Sequence, residues 1–321
     1  MKKFFIKLAV LFAIIWAIFF GLDKRFDKKA LQDPCRRSNW VFSHKNQQYD
    51  FVFCGSSRAY DMVDIKEIEK LTGKSGLNVS YSGTGFEEQY LILGKMFQNG
   101  NKIKQLFLQA DIASLNSESM FNYAFHDYNY IAYLNTDTFI ARIVKDNSNP
   151  LKYWLWKNLP FVKYAEFNLE YPVSFLFKDF SDCKAEFDDK GSHLLSGTSP
   201  QFLRAAEDYD PEKLRLSESN MESYISKKTY RYFKDILKLC RENGTEIILY
   251  TPPIFVSIVG DKKNQDDYRN IMQKIADENE VIYLCFVSDP ICFDKANFFD
   301  AAHLNSHGSE LFSKEIAQYI K

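Results

Sequence analysis

Apolar and polar positions alternate along the chain in blocks that predict strands and helices in turn. Five short apolar runs bounded by polar or turn residues are typical of buried strands: 51–54, 77–79, 105–109, 246–251 and 281–286. Helical periodicity follows over 64–71, 87–98, about 219–242, 264–279 and 306–320. Strands that alternate with helices predict an α/β fold, in which helices cover both faces of a parallel sheet.

The amino terminus has a different pattern. Residues 4–22 are apolar except for Lys7, and as a helix they would span about 28 Å, close to the hydrocarbon thickness of a bilayer. We interpret them as an uncleaved single-pass membrane anchor, because no small-x-small cleavage site follows; a cleavable signal peptide is the alternative. Basic residues flank both sides, so charge bias does not set the orientation. The short amino-terminal side favours a cytoplasmic amino terminus and an exported domain.

These patterns predict a division into an anchor with its flank at 1–29 and an α/β domain at 30–321. The charged residues 23–48 would tether the domain to the membrane. The alternation of predicted strands and helices is interrupted at about 115–220, where the chain is rich in aromatic residues. We interpret this segment as an insertion packed over the functional edge of the sheet, where it would act as a lid; additional core is the alternative.

Composition excludes some classes of protein. The 321 residues are 46% hydrophobic and 26% charged, with a formal net charge of -1, which is typical of a globular protein and argues against a nucleic-acid partner. The six cysteines form no C-x-x-C pair, so we expect no structural zinc or other metal site. Cys285 and Cys292 could form a disulfide if the domain lies outside the cytoplasm.

Candidate chemistry lies at the end of the first predicted strand. That strand runs into Gly55, Ser56 and Ser57, and loops at the carboxyl ends of parallel strands commonly carry functional residues. The pattern by itself leaves three interpretations: a nucleophile, a phosphate-binding turn or a plain turn.

A candidate base precedes the last predicted helix. Asp300 and His303 are three residues apart, so the carboxylate can orient the imidazole while its second nitrogen faces a hydroxyl. The alternative is an aspartate that caps the last helix beside a surface histidine. The other histidines stand in less informative settings: His44, His126, His193 and His307.

Three blocks in this order, CGSSR, NVSYSG and DAAH, resemble the SGNH/GDSL hydrolases, and the first resembles a divergent, membrane-anchored Gly-Ser-Ser-Arg branch. The resemblance implies a flavodoxin-like three-layer sandwich with a parallel sheet. It implies Ser57 as the nucleophile, His303 as the general base and Asp300 as the carboxylate that orients it. The backbone N–H groups of Ser57 and Gly83 would form the oxyanion hole, and no cofactor is implied.

Two departures from the family pattern affect this site. Ser56 stands where the family has aspartate, and the third block has Gln109 and Asp111 but no oxyanion asparagine. An anionic Asp111 would repel an oxyanion, so it should point away or serve another role. Arg58 and Asp111 are candidates for substrate binding, although an ion pair between Arg58 and Asp61 on the next helical turn is the preferred interpretation for the arginine.

The resembling branch acts in acylation and deacylation of cell-surface polymers. The implied function is therefore a membrane-anchored serine esterase or O-acyltransferase acting on acyl esters of a cell-surface glycan; transfer would also need a membrane-bound partner that donates the acyl group. The alternative is a catalytically inactive SGNH-like component that binds or assembles envelope polysaccharide. A phosphate or nucleotide binder is the third hypothesis, but the chain lacks G-x-G-x-x-G and a Walker lysine.

Overall fold

The computed structural model describes residues 1–115, 125–181, 183–199, 225–256 and 262–321. Its strands are β1 (Gln48–Cys54), β2 (Gly76–Asn78), β3 (Lys102–Gln109), β4 (Glu246–Thr251) and β5 (Ile282–Cys285). Its α-helices are α1 (Lys2–Leu31), α2 (Arg37–Ser43), α3 (Ser57–Tyr60), α4 (Ile65–Thr72), α5 (Phe86–Gln98), α6 (Ile112–Leu115), α7 (Thr138–Asn147), α8 (Pro150–Asn158), α9 (Val162–Glu166), α10 (Lys227–Glu242), α11 (Lys262–Glu278) and α12 (Ser306–Ala317). Short 3₁₀ helices are Asp127–Asn129, Ile131–Tyr133, Val173–Phe177, Pro290–Phe293 and Lys295–Asn297.

Contacts divide the chain into two compact units. The helical unit comprises Met1–Ser43 and Phe125–Ala185, and the sheet unit comprises His44–Ala124 and Glu186–Lys321. The residues that follow the apolar stretch therefore group with part of the predicted insertion, which differs from the predicted division at residue 30.

The sheet unit is built on one parallel sheet. Its strand order in the described chain is β2-β1-β3-β4-β5, the order found in flavodoxin-like doubly wound sheets. Cys54 at the end of β1 pairs with Leu108, and Gln109 at the end of β3 pairs with Tyr250. The carboxyl ends of the strands thus meet at one edge. The predicted α/β fold with a parallel sheet is confirmed.

Both faces of the central strands are buried, whereas the edge strand β5, which was predicted as a buried strand, is partly exposed because it has a neighbouring strand on one side only. Successive strand residues point to opposite faces, and Val52 and Phe53 are both inaccessible to solvent. On one face the Phe53 ring stacks on Phe107 with centroids 4.7 Å apart, and α4 and α12 complete that apolar cluster. Helices α5 and α10 pack on each other through ring pairs such as Phe86–Phe233, at 5.3 Å.

Local capping sets the helix ends. The Asp64 side chain accepts a hydrogen bond from Glu67 N at 3.1 Å and so caps the start of α4. Helix α10 begins after Ser226, whose hydroxyl accepts from Thr229 N; the predicted start at 219–223 lies outside the described residues. The same helix ends before Gly244, which has the left-handed φ of 68° that favours glycine.

The apolar stretch 4–22 lies inside α1, one continuous helix of 30 residues, about 45 Å long. This helix is long and apolar enough to cross a membrane, and none of its most apolar segment is buried. Near the end of the stretch the Phe19 ring stacks on Phe161 at 5.8 Å.

The first part of the predicted tether, residues 23–31, belongs to α1, which continues to Leu31 and packs within the helical unit; the tethering role of 23–48 stays a prediction. Asp27 accepts hydrogen bonds from Lys163 Nζ at 2.6 Å and from Tyr164 OH at 2.5 Å, and Lys163 is completely buried. The Phe26 ring stacks on Tyr164 at 4.8 Å. Pairing of the buried ammonium group with carboxylate offsets the cost of removing both from water.

The cysteine pairing differs from the predicted one. Cys35 and Cys183 form a disulfide within the helical unit, whereas Cys285 and Cys292 are both free. The Cys292 thiol instead donates to the carbonyl oxygen of Phe286 at 3.1 Å in a buried position. Disulfides persist mainly in oxidising compartments, so the bond is consistent with an exported domain.

Thiol counting tests the disulfide. We expect four reactive thiols per unfolded chain before reduction and six afterwards, because four of the six cysteines are free. Closure of a long loop restricts the unfolded chain, so Cys35→Ser should lower the free energy of unfolding by roughly 2–5 kcal/mol. As a control, Cys285→Ser should lower both thiol counts by one and leave the disulfide intact. Six thiols before reduction would contradict the assignment.

Candidate active site

A tight turn carries β1 directly into α3. Ser56 has an extended backbone and precedes the helix, which begins with Ser57. Gly55 has no room for a side chain, because an added Cβ would lie 2.5 Å from the Gln109 Cβ and 2.8 Å from the Ala59 Cβ. Glycine is therefore required here by close packing, and that packing places Ser57 at the carboxyl edge of the sheet.

Gln109, the last residue of β3, holds this turn. Its side-chain Oε1 accepts hydrogen bonds from Ser56 N and the Ser56 hydroxyl, both at 3.0 Å, and from Ala59 N at 3.1 Å. Its Nε2 donates to Asp111 Oδ2 at 3.1 Å. The amide is thus engaged by the turn and by Asp111, so it does not take the place of the missing oxyanion asparagine.

The structure brings together the three residues that the resemblance singles out. His303 Nε2 lies 2.8 Å from Ser57 Oγ, and His303 Nδ1 lies 2.9 and 3.0 Å from the two Asp300 carboxylate oxygens. When Nδ1–H donates to the carboxylate, Nε2 can accept the serine proton. The contacts predicted between these side chains are present; their catalytic roles are treated under the proposed function.

A compact loop holds the histidine in place. Asp300 Oδ1 also accepts hydrogen bonds from the backbone N–H groups of Ala302 and His303, each at 2.8 Å. Burial is the largest influence on Asp300 and opposes its ionisation, but the hydrogen bond and charge of His303 together with the two amides outweigh it. The pKa of Asp300 is therefore lowered, and the carboxylate stays ionised beside the imidazole.

Two backbone donors remain open near the serine. Within the described chain, neither Ser57 N–H nor Gly83 N–H donates a hydrogen bond. Gly83 lies outside the sheet, in a turn where its φ of 75° favours glycine. That turn is tied to the first one, since Tyr81 N and the Thr84 hydroxyl both donate to the Gly55 carbonyl oxygen at 3.1 Å.

The partner predicted for Arg58 is wrong. Its guanidinium pairs with Asp111 rather than with Asp61, and both members of this pair are almost completely buried. Asp111 also accepts from the backbone N–H and the hydroxyl of Ser114, at 2.7 and 2.8 Å. The arginine reaches across to the end of β3 because the parallel register sets that end beside the turn. Its positive charge compensates the carboxylate that would otherwise repel an oxyanion.

The sequence analysis did not predict a second histidine–aspartate pair, which lies near Ser57. His193 Nδ1 lies 2.7 Å from Asp61 Oδ1, one helical turn after Ser57. No local signal in the sequence could identify this contact, because 132 residues separate the two.

Two other kinds of binding site fit the described residues poorly, an anion nest at this turn and a metal site in the helical unit. An anion nest needs successive open backbone N–H groups, but Ser56 N–H is already bonded to Gln109. The described side chains that gather as closely as metal ligands would are Asp33, Cys35 and Cys183, and the disulfide removes both thiolates.

No model of a known protein family matches this chain, and no curated protein sequence matches it. Among solved structures, a Bacteroides fragilis protein provisionally described as an acylhydrolase is similar, with a TM-score of 0.41 and 12% identity. The similarity covers 90% of this chain and 94% of that chain. Values this low assign neither an activity nor a substrate, so the function has to be inferred from the residues themselves.

A double-mutant cycle tests the buried ion pair behind the turn. Arg58→Met and Asp111→Asn should each lower the free energy of unfolding by roughly 3–5 kcal/mol, because each leaves one buried charge without its partner. The double variant should lose less than the sum of the two, as measured by urea unfolding. Lys314→Met, in an exposed pair with Glu310, is the control and should change stability little. Additive losses would argue against direct pairing.

Proposed function

We propose that this protein is a membrane-anchored serine esterase or O-acyltransferase of the SGNH type that acts on acyl esters of a cell-surface glycan. The observation that carries the proposal is the hydrogen-bonded chain from Ser57 through His303 to Asp300, at the carboxyl edge of a parallel sheet. A serine hydroxyl is a poor nucleophile until a base takes its proton, and this chain supplies the base together with a carboxylate that orients it.

The reaction follows from these positions in two steps. His303 Nε2 takes the proton of Ser57 as Oγ attacks the ester carbonyl, and the imidazolium then protonates the departing alkoxide, leaving an acyl-serine. In the second step His303 takes a proton from water or from an acceptor hydroxyl, which attacks the acyl group. Ser57 recovers its proton as the product leaves. Water gives hydrolysis, and a sugar hydroxyl gives acyl transfer.

In this proposal two backbone N–H groups stabilise the oxyanion. The N–H groups of Ser57 and Gly83 are open, whereas the Gln109 amide is engaged elsewhere. Loss of one oxyanion donor typically costs about 3 kcal/mol in the transition state. Within the described chain the Gln109 amide supplies no third donor, which supports the alternative of a catalytically inactive SGNH-like component for binding or assembly of envelope polysaccharide.

The proposed location is the cell membrane, with the two units on the exported side. Helix α1 has the length and apolar character of a single span, and the Cys35–Cys183 disulfide favours an oxidising compartment. A substrate displayed at the envelope fits this position better than a cytoplasmic metabolite, and acyl transfer would draw its acyl group from a membrane-bound donor. The aromatic segment as a lid stays a prediction.

A fluorophosphonate probe tests the nucleophile. We expect covalent labelling of the full chain at Ser57, which Ser57→Ala abolishes and Asp300→Asn slows by roughly 10³-fold or more, because the imidazole loses its orienting partner. Ser56→Ala should still be labelled at Ser57, since the Ser56 hydroxyl is buried against Gln109. Absence of labelling in the folded wild-type chain would favour the inactive alternative.

Fractionation tests the anchor. The full chain should sediment with membranes and resist carbonate extraction, because α1 exposes a long apolar surface. A chain without residues 1–20 should be released, since it keeps Asp27 and the other contacts that α1 makes inside the helical unit. Release of the full chain by carbonate, or cleavage after Leu22, would contradict anchoring without affecting the site at Ser57.

A further inference from the structure

The His193–Asp61 pair has no part in the reaction proposed above. The backbone N–H of Asp61 donates to the Ser57 carbonyl oxygen at 2.7 Å, so the pair lies one turn along the same helix as the nucleophile. The His193 ring stacks on Tyr60 with centroids 5.2 Å apart, and its backbone N–H donates to the Tyr60 carbonyl oxygen at 3.1 Å. The Tyr60 ring and the Asp61 carboxylate therefore hold the ring, and the backbone hydrogen bond holds the residue that carries it.

One nitrogen of this ring remains open. Nδ1 is engaged by Asp61, whereas Nε2 has no hydrogen-bond partner among the described residues, and 31% of the His193 side chain is exposed. A neutral imidazole oriented by a carboxylate through Nδ1–H accepts a hydrogen bond at Nε2, and a protonated one donates there. Either form suits a hydroxyl group, which can donate and accept.

The segment that carries His193 also contacts the loop that carries His303. The Ser192 hydroxyl accepts from Ile65 N at 3.2 Å, on the side of α4. Further along, the Leu195 carbonyl oxygen accepts from Ser306 N at 2.6 Å, and Ser199 N donates to Phe299 O at 2.7 Å. The segment 192–199 therefore joins the helices after the nucleophile to the loop before α12.

The two imidazole–carboxylate pairs also influence each other electrostatically. Burial has the largest influence on Asp61 and raises its pKa, while His193 and then His303 act to lower it and Asp300 acts to raise it. Asp61 therefore senses both His303 and Asp300. Because the segment 192–199 is hydrogen-bonded to Phe299 and Ser306, on either side of His303, His193 lies on the same side of Ser57 as the His303 imidazole.

That side is where the alcohol part of an ester has to lie, because the general base that accepts the serine proton later protonates the leaving alkoxide. We propose that His193, oriented by Asp61, binds a hydroxyl group on the alcohol part of the substrate and so selects esters of polyhydroxylated alcohols such as sugars. The inference rests on the proposed function, since it names the substrate class of the same Ser57 site.

Two acetate esters that share an acyl group test this role in the full chain. 4-Nitrophenyl acetate has no hydroxyl on its alcohol part, whereas a mono-O-acetylated methyl glucoside has several. His193→Ala should lower kcat/KM for the sugar acetate by roughly 10–100-fold, as expected for loss of a hydrogen bond to a substrate hydroxyl. It should leave kcat/KM for 4-nitrophenyl acetate unchanged. Asp61→Asn should produce the same selective loss, and His193→Gln, which keeps a hydrogen-bonding side chain, should recover part of it.

His307→Ala is the matched control, because His307 is exposed at the start of α12, and it should change neither ester. Equal loss on both esters, or no loss on either, would overturn the role of His193, provided that Ser57→Ala abolishes hydrolysis of 4-nitrophenyl acetate. If that hydrolysis does not depend on Ser57, the proposed function fails and this inference fails with it. Thermal unfolding of each variant separates a local effect from loss of the fold.

Discussion

The side chain of Gln109 is the contact on which the geometry of the site depends. It lies at the end of β3, and its single carbonyl oxygen accepts from two backbone amides and one hydroxyl of the neighbouring turn. Only glycine at position 55 allows this approach. The turn is thereby held so that the N–H of Ser57 stays among the unsatisfied first donors of its helix. The same contact uses the amide that an oxyanion hole could otherwise have employed.

Each of the two units also contains a buried ion pair. Behind the turn, Arg58 compensates Asp111, and in the helical unit Lys163 compensates Asp27. A buried charge without its partner would cost several kcal/mol, so each carboxylate can be buried only because its cation comes with it. In the sheet unit the positive charge of Arg58 offsets the repulsion that Asp111 would otherwise exert on negative charge developing at the proposed oxyanion site.

The features of the fold that could be predicted are those that short stretches of sequence encode. Buried strands of a parallel sheet are nearly continuous apolar runs, so their positions could be predicted to within a few residues, and the Asp64 cap could be recognised from its spacing. The end of α1 at Leu31 could not be predicted in this way. Its last two turns carry charged residues that look solvated in isolation, and their partners at 161–175 are more than a hundred residues away.

The sequence by itself determined the α/β class and the apolar span, because apolar patterns are local properties of the chain. It singled out Ser57, His303 and Asp300 through the resemblance of three short blocks to a known family. Only the tertiary structure decided which cysteines pair, that Arg58 turns to Asp111, and that His193 meets Asp61 beside the nucleophile. Each of these contacts joins segments that are far apart in sequence. Their proximity arises from sheet register and packing, which no short stretch of residues encodes.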